Sequence, residues 1–454
     1  MAEPNVVIVG AGVSGLATAY VLGQLGIRSV LIEKSSRVGG LIQTDRLEGC
    51  LLEAGPDSYL AAKPAVTELA AELPDLKDQI IGSNDTARRI FVVRHSKLVP
   101  MPRGMAMMVP GDWSSALASP LFSSKTKLRF LTEALSRPRA REEDFPVGKF
   151  VADHFGSELL HNIAEPLLAG VYGGDAASLS APSVLPRFVA YERAYGSLIH
   201  AVRRERRQAT DGSLFLSFRD GMQTLTDALA RQANVHYAKA ERLETCNGRW
   251  RVRCDREAID ADDVVIACPA YAAASLLEST EPLLASELAL IPYSSAILVT
   301  LVYDRAAFSH PLDGFGFLVP EAERRTVAAA TWVSTKFPLR IRPDLVALRA
   351  FIVAERAEQL AEAPEQQLIE LVRSDLAQFM GVESAPRFFT IHRWPQSMPQ
   401  YVVGHAERLR KIAAALDDLP GLHLAGNAYH GVGIPDCVRL AKETAKQIHS
   451  RTSS

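Results

Sequence analysis

Cysteine is scarce and unpatterned in this chain. The five residues at 50, 246, 254, 268 and 437 form no C-x-x-C pair and leave an odd one over, which indicates neither a zinc site nor a disulfide framework. A reducing compartment is the simple consequence. Histidine is equally unhelpful to a metal: His154 and His161, or His392 and His405, lack partners at ligand spacing, so metal catalysis has little support and no metal site is expected. The G-x-S-x-G turn of serine hydrolases is missing too. Charge of one sign is not in excess, because 50 Lys and Arg stand against 52 Asp and Glu for a formal net charge of -2, which argues against a nucleic-acid partner. Long hydrophobic runs are also absent. The longest uncharged apolar stretch, Leu288 to Tyr303, is broken by Pro292 and Ser294-Ser295 and falls short of a bilayer span, so any membrane role must be peripheral. Met1 to Asn5 leads at once into an apolar strand, and no signal or transit segment is expected. Neither an internal repeat nor a low-complexity segment is visible.

What is present is ordinary for a globular protein: 454 residues, 48% apolar and 22% charged, enough at about 150 residues per domain for two or three domains. The informative stretch is Val6 to Gly15, V-V-I-V-G-A-G-V-S-G, followed by a second apolar run that Glu33 closes. An apolar strand, a Gly10-x-Gly12-x-x-Gly15 turn, a helix over Leu16 to Leu25 and a strand ending in an acid make a dinucleotide-binding βαβ unit. Gly10 permits the tight turn, Gly12 lets main chain approach a pyrophosphate, and Gly15 lets helix pack on strand. The helix amide ends then face the phosphates, and Glu33 suits a ribose hydroxyl with no 2′-phosphate. Arg37-Val38-Gly39-Gly40, directly after the second strand, is similar to the continuation in FAD enzymes of the amine-oxidase type, and Glu53-Ala54-Gly55-Pro56-Asp57 supplies a further small-residue turn. FAD is favoured over NAD.

Further along, helical patterning covers Pro64 to Leu76 and a short β-rich stretch Arg89 to Val99. Pro100 to Leu121 gathers Met101, Met105, Met107, Met108 and Trp113, which suits either an adaptable apolar surface or a core helix with its loop. Lys125, Lys127, Arg129, Arg137, Arg139 and Arg141 follow, a pattern that fits an anionic membrane surface or simply a solvated face. Phe150 to Arg207 reads as mainly helical, ending in a basic run from Arg203 to Arg207 that reads as a solvated helix end and linker. Gly221 to Ala230 reads as a helix; Val235 to Tyr237, Trp250 to Cys254 and Val264 to Ala267 read as strands, the last returning the chain to the first sheet. Ser294 to Asp304 and Leu345 to Ala354 read as long strands of an antiparallel substrate sheet. Leu422 to Asn427, Gly431-Val432-Gly433-Ile434 and a helix over Asp436 to His449 bring a second helix N-terminus to the flavin, which makes the cofactor domain discontinuous.

The middle of the chain carries a resemblance. Ala169-Gly170-Val171-Tyr172-Gly173-Gly174-Asp175, Tyr191 to Ile199, Asp313 to Pro320, Arg393-Trp394-Pro395 leading to Pro399-Gln400-Tyr401 and Gly404-His405, and the C-terminal G-N-x-x-x-G-V-G-I-x-D-C are together similar to the protoporphyrinogen oxidase family, within the amine-oxidase-like flavoproteins. The resemblance covers nearly the whole chain. It implies α/β plus α+β architecture: a discontinuous Rossmann-like FAD-binding domain (1–85, 211–275 and 395–454), a helical domain able to face a membrane (86–210) and a β-sheet substrate domain (276–394). The activity implied is six-electron oxidation of protoporphyrinogen IX to protoporphyrin IX, with dioxygen as acceptor and hydrogen peroxide released. Coproporphyrinogen III oxidation is the alternative, which a second arginine or lysine facing the pocket would favour; another amine-oxidase-like oxidase, or a non-catalytic porphyrin or lipid binder, stands behind it.

Carried over residue by residue, the cofactor contacts are Gly10, Ala11, Gly12, Val13, Ser14, Gly15, Glu33, Lys34, Arg37, Gly39, Gly40, Leu41, Gly55, Pro56, Asp57, Ser58, Val235, Trp394, Val432, Gly433 and Ile434. FAD is expected to be non-covalent, with Cys437 a packed thiol. On the substrate side, Arg89 is expected to pair with a propionate, the Gly170 carbonyl to order a pyrrole N–H, and Phe315, Leu318 and Phe351 to hold the macrocycle. No side-chain catalyst is expected, because the flavin carries the redox chemistry and the protein positions and shields. Asp220-Gly221 and Pro435 depart from the family's usual Gly-Gly and Asn. The expected setting is the cytoplasm, with the inner face of the cell membrane as the place for peripheral contact and a homodimer left open.

Overall fold

A computed structural model describes residues 5–141, 143–206, 212–255 and 257–452. Met1 to Pro4, Arg207 of the basic run and the expected boundary at 210–211 lie outside these described residues. Five strands form a parallel sheet in the order Val235–Tyr237, Ser29–Glu33, Val6–Val9, Asp263–Ile266, Leu422–Leu424. Strands from three distant stretches pair side by side, so the chain returns to this sheet twice. Alternate residues of the central strands feed opposite cores, as strand geometry requires: Val6, Ile8 and Leu31 pack with the helices Val13–Gln24 and Ile434–Thr452, whereas Val7, Val9, Val30 and Ile32 pack with the helices Ala270–Leu277 and Pro282–Ala289 and the three-stranded sheet Ala240–Ala261. Burial on both faces explains why these strands are unbroken apolar runs.

The first helix starts at Val13, earlier than the expected Leu16, with Gly12 as its N-cap; Gly15 therefore sits inside the first turn. The last helix likewise starts at Ile434, two residues before Asp436, with Pro435 in its first turn, where a missing N–H costs nothing.

A second sheet has seven strands, ordered Phe388–Pro399, Tyr293–Asp304, Leu345–Val353, Ala329–Trp332, Gly316–Leu318, Ile90–Arg94, Lys97–Pro100. The last two strands come from the segment grouped above with the helices, and Phe388–Pro399 runs unbroken across the 394–395 division; hydrogen-bonded ladders rather than neighbours in sequence decide their places. The prolines of Phe388–Pro399 are tolerated because it is an edge strand. One face of this sheet, with Ile297, Val299, Leu301, Val346, Leu348, Ala350 and Ile352, packs on the helix Glu365–Met380. The opposite face is turned to the nucleotide unit and the helices.

Those helices, between Trp113 and Arg206, share a core of Phe122, Phe130, Phe150, Phe155, Leu168 and Phe188. Met108 is buried in it, and Met101, Met105, Met107 and Trp113 pack against it, so the methionine-rich stretch is core lining. Of the basic residues beyond it, Arg141 is buried in ion pairs with Glu192 and Asp153, and Arg129 donates to the carbonyls of Asp153 and His154.

Candidate active site

The nucleotide end is assembled by close packing of small residues. Gly10 lies at φ +108°, where other residues are strained, and a Cβ on Gly15 would sit 1.9 Å from the Gly10 carbonyl oxygen. Gly12 is different. A Cβ there meets no atom within 4 Å, and no side chain caps the helix that Gly12 opens. Unsatisfied first-turn N–H groups facing open space are what a pyrophosphate needs, so the residues present fit the dinucleotide. Val13 and Ser14 belong to this turn, and Ala11 donates its N–H to Glu33 Oε2 at 2.8 Å, the other Glu33 oxygen accepting from Ser35. Lys34 and Leu41 are exposed beside them.

Arg37 braces the Gly39-Gly40 turn, donating to the carbonyls of Val38 at 3.1 Å and Gly40 at 2.5 Å, while the Gly39 N–H donates to the Ala11 carbonyl at 2.7 Å. Val235 pairs opposite Leu31 at the sheet's edge. At the other end of the chain, Val432 packs on the helical core and Ile434 on the nucleotide core, with Gly433 at the helix start. Burial pushes the Cys437 thiol up to about 11 against an opposing Ser14 hydrogen bond, so it is a packed neutral thiol.

Of the substrate-side residues, Gly170, Leu318 and Phe351 come together on the second face of the seven-stranded sheet, whereas Phe315 and Arg89 stand just ahead of their strands. Alternation along each strand puts Leu318, Ala329 and Phe351 in register across three neighbouring strands. A Cβ on Gly170 would stand 3.9 Å from the Ala329 Cβ, so the helix Glu165–Tyr172 lies directly over this row. Phe351 and Trp394 both pack on the cluster of Ala169, Ala296, Leu298, Ala328 and Val353. The Trp394 Nε1 donates to the Ala54 carbonyl at 2.6 Å, tying the sheet to the Gly55 turn. Phe315 is buried, its N–H donating to the Arg89 carbonyl at 2.7 Å. The Arg89 guanidinium is 64% exposed and pairs at 2.8 Å with Asp313: it has the freedom to reach a ligand, and a competing carboxylate at hand.

Sequence reasoning missed a buried ion cluster beneath this face. Asp57 pairs with Lys336 at 2.9 Å and Arg349 at 3.2 Å, and Glu53 with Arg340 at 3.0 Å. Burial alone would raise the Asp57 carboxyl, but Lys336 and Arg349 hold it well below the usual carboxylate range; burial wins at Glu53, which is held above its ordinary value despite Arg340. Ser58 Oγ donates to Asp57, and the Asp57 carbonyl accepts from Ser217 Oγ at 2.6 Å and from Arg340 at 3.2 Å, so the side chains of Asp57 and Ser58 and the Asp57 carbonyl are all committed here. Arg349 also donates to the carbonyls of Gly55 at 3.0 Å and Glu53 at 3.3 Å. The signal was available: an arginine in the apolar strand L-V-A-L-R-A-F-I-V must find partners.

Comparison with known proteins agrees with this geometry. The model of the flavin-containing amine oxidoreductase family matches residues 13–449. The chain is 30% identical to coproporphyrinogen III oxidase of Bacillus subtilis, covering 97% of each chain, and 29% identical to the chloroplastic protoporphyrinogen oxidase of Nicotiana tabacum, covering 98% of this chain and 86% of that one. A crystal structure from Exiguobacterium sp. 255-15, of a protein provisionally named protoporphyrinogen oxidase, superposes with a TM-score of 0.88 at 30% identity over 99% of this chain and 100% of that one. The glycine cradle, the second helix N-terminus and the likeness across the whole length lead to one conclusion: this chain is an FAD-dependent oxidase belonging to the flavin-containing amine oxidoreductase family.

Proposed function

We propose that the chain oxidises protoporphyrinogen IX to protoporphyrin IX, with dioxygen taking up the electrons and hydrogen peroxide released, in haem biosynthesis in the cytoplasm. The observation that carries this reading is the apolar face where Gly170, Leu318, Ala329, Phe351 and Trp394 meet beside the Gly55 turn. Bound FAD supplies the two-electron chemistry. The chain's own residues orient and shield: Leu318 and Phe351 offer flat apolar contact, the Gly170 carbonyl a place for a pyrrole N–H, and Arg89 a forked cation for a propionate. None of these groups is required to move a proton.

One observation favours the coproporphyrinogen III reading as second choice. Arg324, half-buried just past the turn Glu321–Glu323 that follows the Leu318 strand, donates to the Val319 carbonyl at 3.2 Å and lies within the field of Glu165 on the Gly170 helix; it offers a second cation to a substrate with more carboxylates. The names of bacterial relatives point the same way.

The deciding experiment incubates the purified yellow protein with each reduced porphyrinogen under air, reading porphyrin fluorescence, oxygen uptake and peroxide. Faster turnover of one substrate chooses between the readings. A colourless protein unable to take up FAD, or binding without oxygen uptake, refutes both.

Among the described residues no helix is long and apolar enough to cross a membrane. Leu128, Leu131 and Leu135 are nevertheless exposed, Leu135 at 81%, beside Lys125 and Lys127 on the helix Ser124–Glu133, and this edge is our proposed contact with an anionic lipid surface. Co-sedimentation with phosphatidylglycerol vesicles that survives Leu128→Ser with Leu135→Ser rules it out.

A further inference from the structure

The segment Pro399-Gln400-Tyr401 takes no part in the chemistry above, yet both of its polar side chains are buried, Gln400 at 8% exposure and Tyr401 at 4%. The Gln400 amide nitrogen donates to the carbonyls of Tyr172 at 2.7 Å and Met398 at 2.9 Å and lies 3.0 Å from Ser294 Oγ. Tyr172 ends the helix that carries Gly170. The approach is so close that a Cβ on Gly174 would stand 2.0 Å from Gln400 Oε1, which explains the glycine there. Tyr401 grips a different loop: its hydroxyl donates to the Asn427 carbonyl at 2.6 Å and accepts the Gly431 N–H at 2.9 Å, immediately before Val432, Gly433 and Ile434. The stacked His405 ring, 4.1 Å away and tilted by 10°, fixes the phenol in place. Both residues follow directly on the strand that bears Trp394.

We propose that Gln400 and Tyr401 are a pair of positioning residues, Gln400 setting the helix that offers Gly170 to substrate and Tyr401 setting the loop on the flavin side. One dipeptide thereby fixes the spacing between substrate and cofactor. The Gln400 half rests on the porphyrinogen reading; the Tyr401 half rests on FAD binding alone.

Two variants separate the halves. Gln400→Glu keeps the shape but turns a donor into an acceptor facing two carbonyls, and Tyr401→Phe removes one hydroxyl that serves two main-chain groups. With Gln400→Glu, the porphyrinogen KM rises about tenfold while the FAD dissociation constant, measured by titrating apoprotein, and the visible flavin spectrum stay as in the wild type. With Tyr401→Phe, the FAD dissociation constant rises about tenfold and the spectrum shifts, while KM at saturating FAD keeps its wild-type value. Gln400→Leu reproduces the first pattern without adding charge. The proposal is overturned if either variant moves both constants by similar factors, or if neither constant moves. Absence of porphyrinogen turnover by the wild type defeats the substrate reading alone, whereas wild-type FAD affinity in Tyr401→Phe defeats the clasp.

Discussion

Replacing Arg349 by methionine tests whether the buried ion cluster supports the cofactor turn or merely stabilises the fold. The guanidinium makes two main-chain hydrogen bonds, to Gly55 and Glu53, and one ion pair, to Asp57. Asp57 keeps Lys336 at 2.9 Å when Arg349 is gone, so no buried carboxylate is orphaned, and the loss is that of the hydrogen bonds, about 2 to 3 kcal/mol. Arg340→Met is the contrasting case. Among the described residues Arg340 is the only salt-bridge partner of Glu53, itself 5% exposed, and removing it strands a buried charge at a cost of roughly 3 to 5 kcal/mol. Adding Glu53→Gln to Arg340→Met recovers part of that loss, because it removes the stranded charge. Urea unfolding of apo and FAD-loaded protein reads both effects. Arg349→Met is expected to be the milder destabiliser but to narrow the gap between loaded and apo forms, by about 1.4 kcal/mol for each tenfold loss of FAD affinity. A loss as large as that of Arg340→Met, or unchanged FAD affinity, refutes the reasoning.

Three further predictions use other parts of the molecule. Gly12→Ala has room in the protein and folds, but its methyl group occupies the phosphate approach, so the purified protein is colourless; Gly15→Ala drives a Cβ into the Gly10 carbonyl and fails to accumulate in folded form, and a yellow Gly12→Ala protein contradicts this. Arg89→Ala raises KM for porphyrinogen and slows turnover less, while an unchanged KM removes its propionate role. Burial would lower the His154 pKa, but the hydrogen bonds its ring donates to the Glu133 and Glu192 carboxylates outweigh it and raise the value above 6.5. Its contribution to stability is therefore complete below pH 6.5 and lost as pH rises through the folded value; His154→Gln should flatten the melting temperature over that window, and an unaltered pH profile would exclude the effect.

The nucleotide unit was readable because its signals are local: strand, glycine turn, helix and acid all fall within Val6 to Glu33, and Gly15 answers to the Gly10 carbonyl five positions away. The long strands around Ser294 and Leu345 were readable for the same reason, since alternation and β-branched runs need no distant partner to be recognised. The methionine-rich stretch stayed ambiguous because adaptable side chains suit core and surface equally, and only packing against Phe122 and Phe130 settled it.

Sequence by itself determined the strand, glycine turn and helix over Val6 to Gln24 and the long apolar strands from Tyr293 and Leu345. Tertiary structure alone decided that Asp57 faces Lys336, 279 positions away in the chain, that Trp394 hangs on the Ala54 carbonyl, and that Arg89 shares its charge with Asp313. A periodic pattern records which side of an element is buried, but an ion pair across hundreds of residues leaves no periodicity, and its partners become known only when the chain has folded.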